Sequence, residues 1–149
     1  MTAPEHVHHP PSVPDDIASL INDFVGETPG VSHAIIVSAD GLALTSSRNL
    51  AIDLADSLSA MVAGLTGLCG SIADHIHRGN YEHAMIRLTP GHLLIMGISP
   101  AASLAVLTET CADAGAVAHQ MNRLVSRTGH LLTSNARDEL RRRNGRRPA

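Results

Sequence analysis

The sequence predicts one α/β domain in which a helix, two strands, a long helix, three strands and a final helix follow in order. Three observations carry that expectation: three stretches with apolar residues at helical spacing, five short apolar runs, and the turn signals Asp40-Gly41 and Pro90-Gly91 between runs. A chain of 149 residues accommodates one such domain, and its 44% hydrophobic content is enough to bury a core. Phe24 and Tyr81 are the only aromatic residues, so that core must be aliphatic.

Residues 1–14 read as a disordered leader, because Pro4, Pro10, Pro11 and Pro14 oppose regular structure and little apolar surface is available. From Asp15 a helix is expected. Asp15 and Asp16 complement its N-terminus, Ile17, Leu20, Ile21, Phe24 and Val25 form its apolar side, and Thr28-Pro29-Gly30 ends it. Ser32–Ser38 and Leu42–Ser46 then form a hairpin around Asp40-Gly41. The first of these strands is apolar on both faces and reads as central; the second turns polar at Thr45 to Arg48 and reads as nearer an edge.

A long helix is expected from about Asp53 to Arg78, closing near Gly79-Asn80. Leu54, Leu58, Met61, Leu65, Leu68, Ile72 and Ile76 form an apolar stripe that can lie on a sheet. Ser57, Ala60, Gly64, Gly67 and Ser71 form a narrower stripe of small residues beside it. Each interior glycine costs about 1 kcal/mol relative to alanine, so close approach of another helix is the expected compensation. Strands at His83–Thr89, His92–Ile98 and Ser103–Thr108 follow, the last two central and the first a candidate edge, and a helix over Asp113–Leu132 completes the domain. Residues 135–149 form a basic tail, expected to be disordered, so the folded domain spans 15–134.

Charge and missing residue types exclude several functions. There is no lysine, which removes phosphate-loop, kinase and Schiff-base chemistry. Outside the tail five arginines face twelve acidic groups, a difference of minus 7, and Phe24 and Tyr81 are the only aromatics available for stacking, so a nucleic-acid platform is not expected. Gly64-Leu-Thr-Gly-Leu-Cys-Gly70 lies within a helical pattern rather than between strand and helix, and Gly97-Ile-Ser99 is followed by Pro100 and a strand where a nucleophile elbow needs a helix. His6, His8 and His9, and His75 with His77, lack the four-ligand pattern of a structural zinc site. Cys69 and Cys111 form no paired motif and read as small buried hydrophobes. No catalytic, cofactor or metal site is expected, and no run of about 18 uninterrupted apolar residues suggests membrane insertion.

Pro29-Gly-Val-Ser-His-Ala34, Val37-Ser-Ala-Asp-Gly-Leu42, Gly91-His-Leu-Leu-Ile95 and Leu104-Ala-Val-Leu107 together resemble the signature segments of the roadblock/dynein light chain family, across roughly Asp15 to Leu132. They are most similar to the roadblock members of actinobacterial conservon operons, which also encode a sensor-kinase-like protein and a small GTPase. The resemblance implies a three-layer α/β/α sandwich, profilin-like, with a five-stranded, mainly antiparallel sheet, the long helix on one face and the terminal helices on the other. It implies a homodimer using Ser57, Ala60, Gly64, Gly67 and Ser71 of the long helix with His83, Met85 and Arg87 of the edge strand. It further implies a non-enzymatic cytoplasmic regulator or scaffold that binds a Ras-like small GTPase through Asp56, Ser59, Ala63 and Asp74. The alternative is a dimeric adaptor, recruited to the membrane by a partner, that links a membrane-bound sensor-kinase-like protein to effectors with no influence on nucleotide turnover.

Overall fold

The computed structural model describes residues 13–110 and 112–131. The earlier part of the leader, Cys111 and the Arg-rich tail lie outside the described residues. Eight elements follow in the expected order: α1 (Val13–Glu27), β1 (Val31–Ser38), β2 (Ala43–Ser46), α2 (Ile52–His75), β3 (His83–Arg87), β4 (His92–Ser99), β5 (Ala102–Thr108) and α3 (Ala114–Leu131). Helix α1 begins two residues before the expected Asp15 and takes Pro14 into its first turn, where a missing N–H leaves no hydrogen bond unmade. Asp113 caps α3, its carboxylate accepting from the N–H groups of Gly115 and Ala116.

The five strands form one antiparallel sheet in the order β2-β1-β5-β4-β3. Strands β1, β5 and β4 occupy its interior and β2 and β3 its edges, as their patterns imply. Alternate residues of the interior strands supply two separate cores. Ala34, Ile36, Leu94, Leu104 and Val106 pack under α1 and α3, against Ile17, Ile21, Phe24, Val117, Met121 and Leu124. Ile35, Val37, Leu93, Ile95 and Ala105 pack on the other face against Ala55 and Val62 of α2.

The orientation of α2 corrects the sequence expectation. Ala55, Ser59, Val62 and Ala73 are its buried residues, whereas Leu54, Met61, Leu68, Ile72 and Ile76 of the apolar stripe are more than half exposed. Only Leu58 and Leu65 of that stripe reach the core, at its margin. Helix α2 also ends at His75, three residues early, because His77 takes up a positive φ of 56° and breaks the ladder before Gly79. Cys69 is half-buried rather than fully enclosed.

The β3–β4 turn depends on Gly91. Its φ is +91°, its carbonyl accepts from the Leu88 N–H at 2.7 Å, and a Cβ there would collide with the Thr108 carbonyl. Gly91→Ala should therefore destabilise the fold by about 2 kcal/mol or more. Gly64→Ala, where a Cβ meets nothing within 4 Å, should stabilise it by roughly 0.5–1 kcal/mol. Paired chemical denaturation curves check both signs.

Candidate functional site

Helix α2 presents three different sides. At 3.6 residues per turn, Ala55, Ser59, Val62 and Ala73 define the side on the sheet. One flank carries Leu54, Met61, Leu68 and Ile72, exposed by 51%, 63%, 62% and 59%. With half-buried Leu58 and Leu65 between them the spacing alternates four and three residues, the pattern of a helix-pairing seam. The opposite flank is small and acidic, running from Asp56 through Ala60 and Gly67 to Asp74.

The residues expected at a helix contact separate accordingly. Ser57, Ala60, Gly64, Gly67 and Ser71 are all exposed, and neither Gly64 nor Gly67 has a heavy atom within 4 Å of its Cβ position. Asp56 and Asp74 are also exposed. Ser59 is not: it is fully buried against the sheet and cannot meet a partner, because it shares the side of Ala55 and Val62. Ala63 is half-buried beside the β1–β2 turn, where a Cβ on Gly41 would lie 3.8 Å from its own. The sequence could not separate these, since serine and alanine suit a packed face and a solvated one equally.

Strand β3 pairs only with β4, so its outer edge carries unpaired backbone groups. Ala84 and Ile86 sit opposite Ile95 and Leu93 and share the face covered by α2; His83, Met85 and Arg87 sit opposite Met96, Leu94 and His92 and belong to the face of α1 and α3. His83, Met85 and Arg87 are exposed, and Ile86 and Leu88 add apolar surface to the same edge.

A cleft of about 500 Å³ opens between the acidic flank of α2 and the β4–β5 turn, with Gly67, Gly70 and Asp74 on one wall and Tyr81, Gly97 and Ser103 on the other. No local motif announces it, because its walls come from four separate segments. Ser99 closes the turn, its hydroxyl accepting from the Ala101 N–H at 3.1 Å, which is loop chemistry rather than a nucleophile's setting. A smaller cleft of about 290 Å³ between α1 and α3 holds Asp23, Glu27, Arg123 and Arg127. Among the described residues no group of three His, Cys, Asp or Glu could hold a metal ion.

A sequence model of the Roadblock/LC7 domain matches residues 17–108. Among solved structures, a Roadblock/LC7 domain from Streptomyces avermitilis is 33% identical, with 74% of this chain and 96% of that one covered and a TM-score of 0.62. A second from the same organism is 27% identical over 78% of this chain and 98% of its own, at a TM-score of 0.72. Myxococcus xanthus MglB reaches a TM-score of 0.73 at 16% identity, covering 80% of this chain and 96% of that one, a likeness of fold. Comparison with curated proteins gives no match.

Ser59 yields a direct check of this geometry. Its hydroxyl is buried with no hydrogen-bond partner, so Ser59→Ala removes an unsatisfied polar group and should leave stability unchanged or raise it by up to about 1 kcal/mol. A thermal melt showing marked destabilisation would mean that the hydroxyl has a role on the sheet side of α2.

Proposed function

Because the chain belongs to the Roadblock/LC7 family, we propose that it is a non-enzymatic homodimer that binds a Ras-like small GTPase as a regulator or scaffold. The observation that carries this reading is that α2 is apolar on its free flank as well as on its sheet side. A helix apolar on both sides belongs in the interior of an assembly larger than one protomer. By length and composition α2 could also cross a membrane, but its sheet side is already packed and Asp53, Asp56 and Asp74 interrupt its exposed surface. A second copy of the chain fits the seam spacing of Leu54, Met61, Leu68 and Ile72, and the edge of β3 supplies backbone groups for a continuous sheet. Burying the exposed parts of those four side chains contributes about 1 kcal/mol each per protomer.

In this reading the leucine flank replaces the small stripe as the centre of the dimer seam. His83, Met85 and Arg87 flank it along the joined edges. Pairing through the leucine flank leaves Asp56 and Asp74 facing outward, and these are the residues we assign to the GTPase contact. The chain has no lysine and no phosphate loop, so its influence on GTP hydrolysis arises from binding one GTPase conformation better than another. A preference of about 1.4 kcal/mol shifts that equilibrium tenfold. Arg48, Arg78 and Arg87, all exposed, are the body arginines we would test for the other route, insertion of an arginine finger.

Leu68→Glu combined with Ile72→Glu places two like charges per protomer in the seam and should convert the dimer to a folded monomer. Light scattering at micromolar concentration, with circular dichroism on the same sample, checks this. A wild-type chain that is itself monomeric there overturns the dimer.

Charge reversal of Asp56 and Asp74 to Lys should leave the dimer intact and weaken its complex with a GTP-loaded partner GTPase by about tenfold or more. Titration calorimetry measures it, and unchanged affinity places the contact elsewhere.

A further inference from the structure

We propose that the dimer weakens on acidification, because joining two β3 edges sets His83 of each copy opposite Arg87 of the other. This rests on the dimer reading above and gives it a register. The Leu88 N–H donates to the Gly91 carbonyl at 2.7 Å, so the backbone groups of Leu88 turn toward β4. Along an antiparallel strand those groups alternate in direction. Ala84 and Ile86 therefore bond inward, and His83, Met85 and Arg87 point their N–H and C=O groups out of the sheet edge. For the leucine flanks of two α2 helices to meet, both helices must lie on one side of the joined sheet. The two-fold axis is then perpendicular to the sheet, and residues opposite each other across it share a face. With Met85 on that axis the whole of β3 overlaps, and all three outward-bonding residues find partners: His83 with Arg87, Met85 with itself, Arg87 with His83. A slip by one pleat in either direction leaves one of them without a partner in the strand.

The surroundings of this edge offer those cations no counter-charge. On the same face Arg87 lies opposite His92 of β4, whose Nδ1 is 3.3 Å from the Thr108 hydroxyl. Neither β3 nor β4 contains an acidic residue. Helix α3, which packs over β4, has none from Ala114 to Leu131, and its charged or titratable side chains are His119, Arg123, Arg127 and His130. The acids of α1, Asp16, Asp23 and Glu27, belong to a helix packed on β1 and β2, away from this edge. Glu82 immediately precedes β3, at the position that alternation assigns to the α2 face. Histidine takes up a proton as pH falls from about 7 to about 5. A charged His83 then faces a guanidinium at both ends of the joint, and like charges directly opposite one another are unfavourable. In separated chains the same proton meets no arginine across the edge, so they take it up more readily. The joined form is therefore favoured above the histidine range and weakens as pH falls through it. His92 faces Arg87 in joined and separated chains alike, so its charge is common to both.

The test follows dimer dissociation of the full, fluorescently labelled chain by sedimentation, diluted from micromolar to nanomolar at constant ionic strength. Circular dichroism on the same samples confirms that the chain stays folded. The wild type should dissociate about tenfold more readily at about pH 5.5 than at about pH 7.5. His83→Gln and Arg87→Gln should each remove most of that dependence, since either leaves one charge where two stood. His83→Glu sets a carboxylate opposite Arg87 and should dimerise more tightly than the wild type at the lower pH. A dimer equally tight at both pH values overturns the proposal, and so does a His83→Gln chain as sensitive to pH as the wild type, which assigns the effect to other histidines. A His83→Glu chain that dimerises no better than the wild type at the lower pH overturns the register. A chain monomeric at every pH and concentration sinks the dimer reading and this proposal with it, whereas a dimer indifferent to pH sinks the proposal alone.

Discussion

Central strands with apolar side chains on both faces have to be covered twice. In β1, Ala34 and Ile36 face one way and Ile35 and Val37 the other; β5 divides Leu104 and Val106 from Ala105 in the same manner. On the first face two helices share the load, bringing six buried apolar side chains from α1 and α3. On the second, among the described residues, there is only α2. Five strands span about 19 Å across the hydrogen-bonding direction, while one helix covers about 10 Å. A single helix therefore cannot close that face, and the apolar surface left beside it is a result of geometry rather than of poor packing.

How α2 sits follows from the sizes of its side chains. Ala55, Ser59 and Ala73 let its backbone lie close to β1 and β2, and Val62 fills the remaining space. The larger side chains stand on the flank, where only Leu58 and Leu65 reach the core beneath them. The acidic flank drops to small residues and opens the cleft against the β4–β5 turn. Packing, exposed seam and cleft are three results of one rotational setting of the helix.

That setting is the part the sequence could not convey. Element order, the central positions of β1, β4 and β5 and the edge position of β3 were all legible, because two-sided apolarity and the signals at Asp40-Gly41 and Pro90-Gly91 are local properties. The facing of α2 was not. Its longer stripe of leucines is the obvious candidate for the core, and the residues that meet the sheet are smaller and less apolar. A helix that is apolar on two sides has no periodicity to mark one of them as inner, so the competing stripes are resolved only by the shape of the sheet they land on. Ser59 illustrates the cost: a polar residue in the pattern, it is enclosed without a partner. Tyr81 and Gly97 were equally silent, since neither belongs to a motif and the cleft they line is assembled from separate segments.

The glycines at 64, 67 and 70 give α2 a further property. Three such residues within seven positions lower the intrinsic helical preference of its centre by about 3 kcal/mol relative to alanine, and among the described residues no neighbour lies within 4 Å of where their Cβ atoms would stand. The middle of the helix is consequently easier to open than an alanine centre of the same length would be. Anything that settles along either flank suppresses that opening.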